Sequence, residues 1–263
     1  MRAPAEFADI TADVLARIRS RAPRVHCITN SVAQAYTANM LLAAGAIPSM
    51  TIAPEEIAAF AAGADALLVN LGTFDAERRT AIELALGAKG RRRKGQRPWV
   101  LDPVFIERSP ARAQFAQGLL KRGPAAVRLN QREFAALAGS DAVGKTPTRF
   151  AKAQNTIVAL TGDKDVVTDG RRTATVANGH ALMSLVTAMG CAGSALLCAA
   201  LAVEADAWRA AVATLVALGV AGEVAALGAR GPGSFAGAII DALHNLDRAT
   251  LRARTRVSAC KGS

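Results

Sequence analysis

Polar side chains recur at the ends of apolar runs along this chain. Thr29-Asn30 closes the run Val25–Thr29, and Asn70-Leu71-Gly72-Thr73 closes Ala66–Leu71. Asp102-Pro103 follows Trp99–Leu101, Asn130 follows Ala126–Leu129, and Thr161-Gly162-Asp163 follows Thr156–Leu160. One polar ending is ordinary turn chemistry. Repetition in series points to a common ligand-binding edge, because open parallel sheets bind ligands beyond the carboxyl ends of their strands. Asn30, at the first of these ends, is a candidate for substrate binding.

The segment Val186-Thr187-Ala188-Met189-Gly190-Cys191-Ala192-Gly193-Ser194 leads into an apolar helical pattern. Small residues before a helix let backbone amides converge on an anion at its positive end. Cys191 would face that anion, and the dipole is expected to lower its thiol pKa below the free value of ~8.5. The alternative is a close-packed helix start with an inert buried thiol. Cys198, two turns further on, reads as core. In Asn130-Gln131-Arg132-Glu133 an amide and a carboxylate share a helix face at i and i+3. They suit a capping box. They also suit a magnesium–phosphate station in which Glu133 reaches the metal through water, with Asp102 nearby. The two roles are compatible.

These residues need a scaffold, and the sequence supplies one. Short strand-like runs (those above, with Ile47–Met50) alternate with helical stretches at Ala33–Ala44, Pro54–Ala62, Asp75–Ala88, Ala111–Lys121 and Gln131–Leu137. Pro54 is expected in a first helical turn. Such alternation makes a mostly parallel sheet covered by helices on both faces. Val166–Thr168 and Thr173–Val176 flank Asp169-Gly170 as an added hairpin. From Gly190 onward the pattern is helical: Cys191–Glu204, Asp206–Leu227 and Ser234–Leu246, with Gly231-Pro232-Gly233 separating the last two. The connection from Gly139 to Thr156 reads as short. The expectation is one α/β domain over residues 1–263, ending in a basic tail from about 248.

Composition agrees. The chain has 263 residues, 51% hydrophobic and only 4% aromatic, which excludes disorder and suits small helices packed on a sheet. The four cysteines form no CxxC pair and no zinc spacing with histidine, so free thiols are expected. His26, in an apolar run, reads as a hydrogen-bonded core residue. The net charge of +11 is concentrated in Lys89–Arg97 and Arg248 to Arg256. With no aromatics interleaved for base stacking, these runs read as a solvated loop and tail, and no nucleic-acid partner is expected. The apolar run Ala210 to Gly222, fenced by Arg209 and Glu223, is short of the ~20 residues of a membrane span. Residues Met1 to Arg24 lack the apolar stretch of a signal peptide. A cytoplasmic enzyme with no membrane partner is the expectation.

From Val25 to Leu243 the motifs resemble hydroxyethylthiazole kinases of the ribokinase-like superfamily. The resemblance is carried by His26-Cys27-Ile28-Thr29-Asn30, Thr37-Ala38-Asn39-Met40-Leu41-Leu42, Pro48-Ser49-Met50 and Asn70-Leu71-Gly72-Thr73. It continues through Asp102-Pro103-Val104, Arg128 with Asn130 and Glu133, Thr161-Gly162 with Asp165, Val186-Thr187, Gly190-Cys191 and Gly231-Pro232-Gly233-Ser234-Phe235. It implies a three-layer ribokinase-like fold and transfer of the ATP γ-phosphate to the primary alcohol of 4-methyl-5-(2-hydroxyethyl)thiazole in thiamine salvage. Mg²⁺ would be the cofactor, held at Asp102 and Glu133. Met50 would contact the thiazole with the backbone of Ala188 beside it, Arg128 and Thr161 would contact ATP, and Cys191 would occupy the catalytic position. A homotrimer with active sites at subunit boundaries is implied. The chain departs from the family pattern at Phe105-Ile106-Glu107-Arg108, at Leu129 and at Ala188-Met189. Those departures keep two alternatives open: a kinase for another small alcohol, or a catalytically weakened thiazole- or nucleotide-binding relative.

Overall fold

The computed structural model describes residues 4–88, 97–144 and 146–261. Its centre is a nine-stranded sheet in the order β2-β1-β3-β4-β5-β6-β7-β8-β9. The strands are β1 (Arg24–Ile28), β2 (Ile47–Ser49), β3 (Ala66–Asn70), β4 (Trp99–Asp102), β5 (Ala126–Asn130), β6 (Ile157–Thr161), β7 (Asp165–Thr168), β8 (Arg172–Val176) and β9 (Val257–Lys261). Pairing is parallel from β2 through β6 and antiparallel from there to β9. The helices are α1 (Pro4–Arg21), α2 (Gln34–Ala44), α3 (Ile57–Gly63), α4 (Ala76–Gly87), α5 (Pro110–Leu120) and α6 (Gln131–Ala138). They continue with α7 (Thr146–Gln154), α8 (Met189–Val203), α9 (Ala207–Ala226), α10 (Pro232–His244) and α11 (Arg248–Arg254).

Alternate strand residues feed two cores, as a period-2 side-chain pattern requires. Ala66, Leu68, Val100, Ala126 and Ala159 join one face, with Phe7, Met40, Leu196 and Val216 from α1, α2, α8 and α9. Leu67, Val69, Leu101, Val127 and Val158 join the other, with Ile57, Ile82, Leu119 and Phe134 from α3, α4, α5 and α6. Helices therefore cover both faces, which is why the strands read as continuous apolar runs. β1 is flanked by β2 on one side and β3 on the other. The chain thus reverses its direction across the sheet there, and crevices at such switch points are where open sheets bind ligands.

The structure corrects several expectations. Residues Pro4–Arg21 form α1, whose Phe7, Ile10, Val14, Leu15 and Ile18 make a buried stripe at i, i+3 and i+4 spacing. Pro54 lies in a turn, and α3 begins only at Ile57. The connection after Gly139 holds α7, which buries Pro147 and Ala151. Most of the basic stretch from 248 is no tail: Arg248 and Arg252 bond Asp9, Arg248 also bonds Asp13, and Val257–Lys261 pairs with β8. The basic run Lys89 to Gln96, with Arg91–Arg93, lies outside the described residues. Arg97 is buried, and its guanidinium donates to the carbonyls of Ala61 and Ala85. Helix α9 is long and apolar enough to cross a membrane by length and composition, yet most of it is buried within the protein. One expectation is met in full: His26 is a hydrogen-bonded core residue, fully buried, with Ser49 Oγ at 2.8 Å from Nδ1 and the Thr51 carbonyl at 3.0 Å from Nε2.

Candidate active site

Two asparagines face each other across the switch point. Asn70 ends β3 beside Asp102, its register partner on β4, and Asn30 lies just past β1. Backbone contacts fix both amide orientations. The Gly72 N–H donates to Asn70 Oδ1 (3.0 Å), so Asn70 Nδ2 faces Asp102 Oδ2 and donates to it at 2.8 Å. The Ala33 N–H donates to Asn30 Oδ1 (3.0 Å), which turns Asn30 Nδ2 toward Asn70 Oδ1 (3.1 Å) and Cys191 Sγ (3.2 Å). Residue 72 must be glycine for this approach, because a Cβ there would sit 2.7 Å from Asn30 Nδ2.

Cys191 stands in the first turn of α8, only 8% exposed. Its pKa moves opposite to the sequence expectation. Burial pushes the thiol up, the Asp102 charge adds to this, and the asparagine and Arg128 contributions oppose it, leaving the group at about 11. Desolvation of the thiolate outweighs the helix dipole, so Cys191 is a protonated thiol at neutral pH. Cys198 is fully buried, with its sulfur 3.1 Å from the Leu67 carbonyl, and belongs to the core. All four cysteines are free.

Ala188 immediately precedes α8 in the left-handed region (φ 71°, ψ −1°). That conformation is strained for a residue with a Cβ. Arg128, on β5, lies along the same helix end. Its Nη1 donates to the Gly190 carbonyl (2.8 Å), and its buried Nε has no hydrogen-bond partner among the described residues. Gly193 gives the guanidinium room, since a Cβ there would come within 3.0 Å of Nη2. Thr161 ends β6 opposite Asn130, half-buried, with its hydroxyl 3.3 Å from the Leu129 carbonyl.

Glu133 completes the capping box expected from its spacing. Asn130 Oδ1 accepts from the Glu133 N–H (2.9 Å), and Glu133 Oε2 accepts from the Asn130 N–H (2.9 Å). Its other oxygen accepts from the N–H of Phe105 (3.0 Å), a residue held at φ 55°. Burial raises the Glu133 pKa to about 7, and the Asp102 charge adds to the rise. Asp102 is also raised by burial, opposed by Arg128, Ser194 and Asn70. Two buried carboxylates that repel each other are a setting a divalent cation would relieve. Each Glu133 oxygen keeps a lone pair, and no group of three or more His, Cys, Asp or Glu that could hold a metal occurs among the described residues. That donor set suits Mg²⁺, which keeps several waters and takes phosphate oxygens beside one or two carboxylates.

The structure thus joins Asn30, Asp102 and Cys191 in one hydrogen-bonded group, with Arg128 and Ala188 at the same helix end. Glu133 is coupled to that group through Asp102. Met50 lies just past β2, one strand out from Asn30 at the same edge, half-buried against the core. Three residues carry more than sequence reasoning gives them. In the sequence Asn70 is visible only as a polar strand end, and Ser194 only as one of several small residues. Asp165, whose carboxylate accepts from the Gly162 N–H (3.0 Å) and interacts with Arg128, is there only part of a motif.

A family model for hydroxyethylthiazole kinases matches residues 15–249. The chain belongs to the hydroxyethylthiazole kinase family. It is 44% identical over 260 residues to the hydroxyethylthiazole kinase of Rhizobium leguminosarum bv. trifolii, covering 94% of this chain and 96% of the relative. It is 41% identical to a probable hydroxyethylthiazole kinase of Agrobacterium fabrum, covering 89% of each. The structure of the Pyrococcus horikoshii hydroxyethylthiazole kinase superposes with a TM-score of 0.89 at 36% identity, over 96% of this chain and all of that one. A ribokinase-like protein of Enterococcus faecalis (TM-score 0.62, 15% identity, 88% of this chain and 93% of that one) shares the fold. The three-layer ribokinase-like architecture expected of a hydroxyethylthiazole kinase is the one observed.

Proposed function

We propose that this kinase transfers the γ-phosphate of ATP to the hydroxyl of 4-methyl-5-(2-hydroxyethyl)thiazole, a thiamine-salvage step. The observation that carries the reading is the convergence of Asn30, Cys191, Asp102 and Arg128 on the amino end of α8, in a chain over 40% identical to kinases of that name. Phosphoryl transfer asks mainly for positioning and charge neutralisation. The alcohol oxygen bonds to the γ-phosphorus as the bond to the ADP oxygen breaks. Its proton becomes acidic only as the new bond forms and then passes to a phosphate oxygen or to water, so no strong base is required.

The side chains divide this work. Arg128 offers charge-assisted donors to phosphate oxygens, with Thr161 beside it at the end of β6. The α8 amides past Ala188 face the transferring group as fixed donors. Asn30, Met50 and the Ala188 backbone bind and orient the thiazole. Cys191 acts as a protonated thiol that orients the alcohol and takes no proton from it. Asp102 and Glu133 would hold Mg²⁺, which when bound neutralises charge on the phosphates. Exposed Leu42 and Ile47, on α2 and the edge strand β2, support assembly into a homotrimer in which Met50 of one subunit completes the pocket around Cys191 of another. Use of ATP and four free thiols support a cytoplasmic location.

ADP release with ATP and Mg²⁺, measured across a panel of small alcohols, tests the reading. The thiazole alcohol should give the highest kcat/KM. Preference for another alcohol would move the substrate assignment, and no turnover with any would favour a binding protein.

A further inference from the structure

We propose that Asn70 is a positioning residue that ties the alcohol-facing thiol of Cys191, through Asn30, to the carboxylate of Asp102, so that both ends of the phosphoryl path are set by one side chain. The proposal rests on the kinase reading above. Asn70 is 1% exposed and uses both ends of its amide. The carbonyl end accepts from the Gly72 N–H (3.0 Å) and from Asn30 Nδ2 (3.1 Å), while the amino end donates to Asp102 Oδ2 (2.8 Å). The Gly72 contact forbids the flipped orientation, because a flipped amide would set two donors against each other.

The polarity of the chain has consequences at each end. At Asp102 it presents a donor, so that oxygen is held as an acceptor and its remaining lone pairs point along a fixed direction. At Cys191 the Asn30 amino group donates to sulfur at 3.2 Å, which leaves the S–H free to donate to the substrate oxygen. The loop after β1, strands β3 and β4, and helix α8 each contribute one member. A shift of one member is therefore transmitted to the others, and misplacement by about 1 Å can cost about 100-fold in rate. The alternative is a buried amide that only satisfies itself, whose loss would cost stability and nothing else.

The test compares wild type with Asn70→Ala, Asn70→Ser, Cys191→Ala and the double variant Asn70→Ala/Cys191→Ala. Asn70→Ala should lower kcat by about 30-fold or more per folded molecule, with KM for the thiazole alcohol within about threefold, since the lost interaction matters in the transition state. Asn70→Ser, which keeps a small donor, should recover part of that loss. The double variant should lose less than the product of the two single losses, because members of one unit are not additive, while still falling below Cys191→Ala through the Asp102 end. A second readout needs no substrate: iodoacetamide labelling of Cys191, measured against exposed Cys260 in the same chain. That ratio should rise about tenfold in Asn70→Ala, and where that variant fails to fold, Asn70→Ser carries both comparisons. Unchanged kcat per folded molecule, multiplicative losses in the double variant, or an unchanged labelling ratio would each overturn the proposal. Wild type inactive on every thiazole alcohol would sink the kinase reading instead, and the labelling ratio would still decide the link.

Discussion

Replacing Glu133 by glutamine separates a metal-holding carboxylate from a helix cap, because the buried carboxylate titrates in either role and only the metal-holding one lets Mg²⁺ stabilise the fold. Burial and the neighbouring Asp102 charge raise Glu133 from 4.5 to about 7 in the folded state. Below pH 4.5 the group is protonated in both the folded and unfolded chains. Between 4.5 and 7 the unfolded chain has released a proton that the folded one keeps, so stability falls as pH rises. Above about 7 the penalty is complete and flat. The size follows from 1.36 kcal/mol per pKa unit: roughly 3 kcal/mol lost across that window. A neutral glutamine side chain in the same place carries no such penalty. It still accepts one of the two backbone N–H groups, and failing the other costs about 1–3 kcal/mol at every pH. Urea unfolding without metal at pH 5, 6, 7 and 8 should therefore show wild type losing about 2–3 kcal/mol more than Glu133→Gln. Mg²⁺ with ADP should stabilise wild type more at pH 8 than at pH 5.5 by mass action, and the glutamine variant far less. Mg²⁺-dependent turnover should fall in the variant. Equal stabilisation of the two proteins by Mg²⁺ with ADP, with activity per folded molecule intact, would reduce Glu133 to a cap.

Cys191→Ala should lower kcat with thiazole affinity nearly intact, whereas Cys191→Asp should retain or raise turnover because Asn30 Nδ2 donates into that position; steady-state kinetics decide both. Cys198→Ala should cost about 1 kcal/mol in chemical denaturation and leave turnover per folded molecule unchanged, its sulfur being fully buried in the core. Ala188→Gly should relieve the left-handed backbone and raise stability by up to about 1 kcal/mol, seen as a Tm rise of a few degrees. Gly193→Ala should raise the KM for ATP about tenfold, because its Cβ would come within 3.0 Å of both Arg128 Nη2 and Leu218 Cδ1. A KM unchanged by that substitution would place Arg128 outside the nucleotide contact.

The strands at the active edge are legible in the sequence because each is an apolar run closed by a polar residue, and a parallel sheet demands that pattern. The capping box at Asn130 is legible for a similar reason: i and i+3 spacing at a helix start has few geometric outcomes. Other features depend on tertiary context. Helix α1 hides among charges because only one stripe of it is buried, and β9 is recognisable only beside β8. The pKa of Cys191 runs against the sequence expectation because the sequence shows the helix dipole and not the burial that outweighs it. Asn70 is one polar ending among several until the register against Asp102 and the reach of Asn30 give it a place. The positive φ of Ala188 contradicts local preference, as positions under functional constraint often do.

Formation of the phosphate monoester of 4-methyl-5-(2-hydroxyethyl)thiazole in a single turnover, with enzyme in excess over ATP and Mg²⁺ present, bears most directly on the proposed activity. Wild type should form one ester per ATP consumed, and Cys191→Ala should form it markedly more slowly while binding the thiazole equally well. Equal rates in the two proteins would remove Cys191 from the chemistry, and no ester in either would contradict kinase activity on this alcohol.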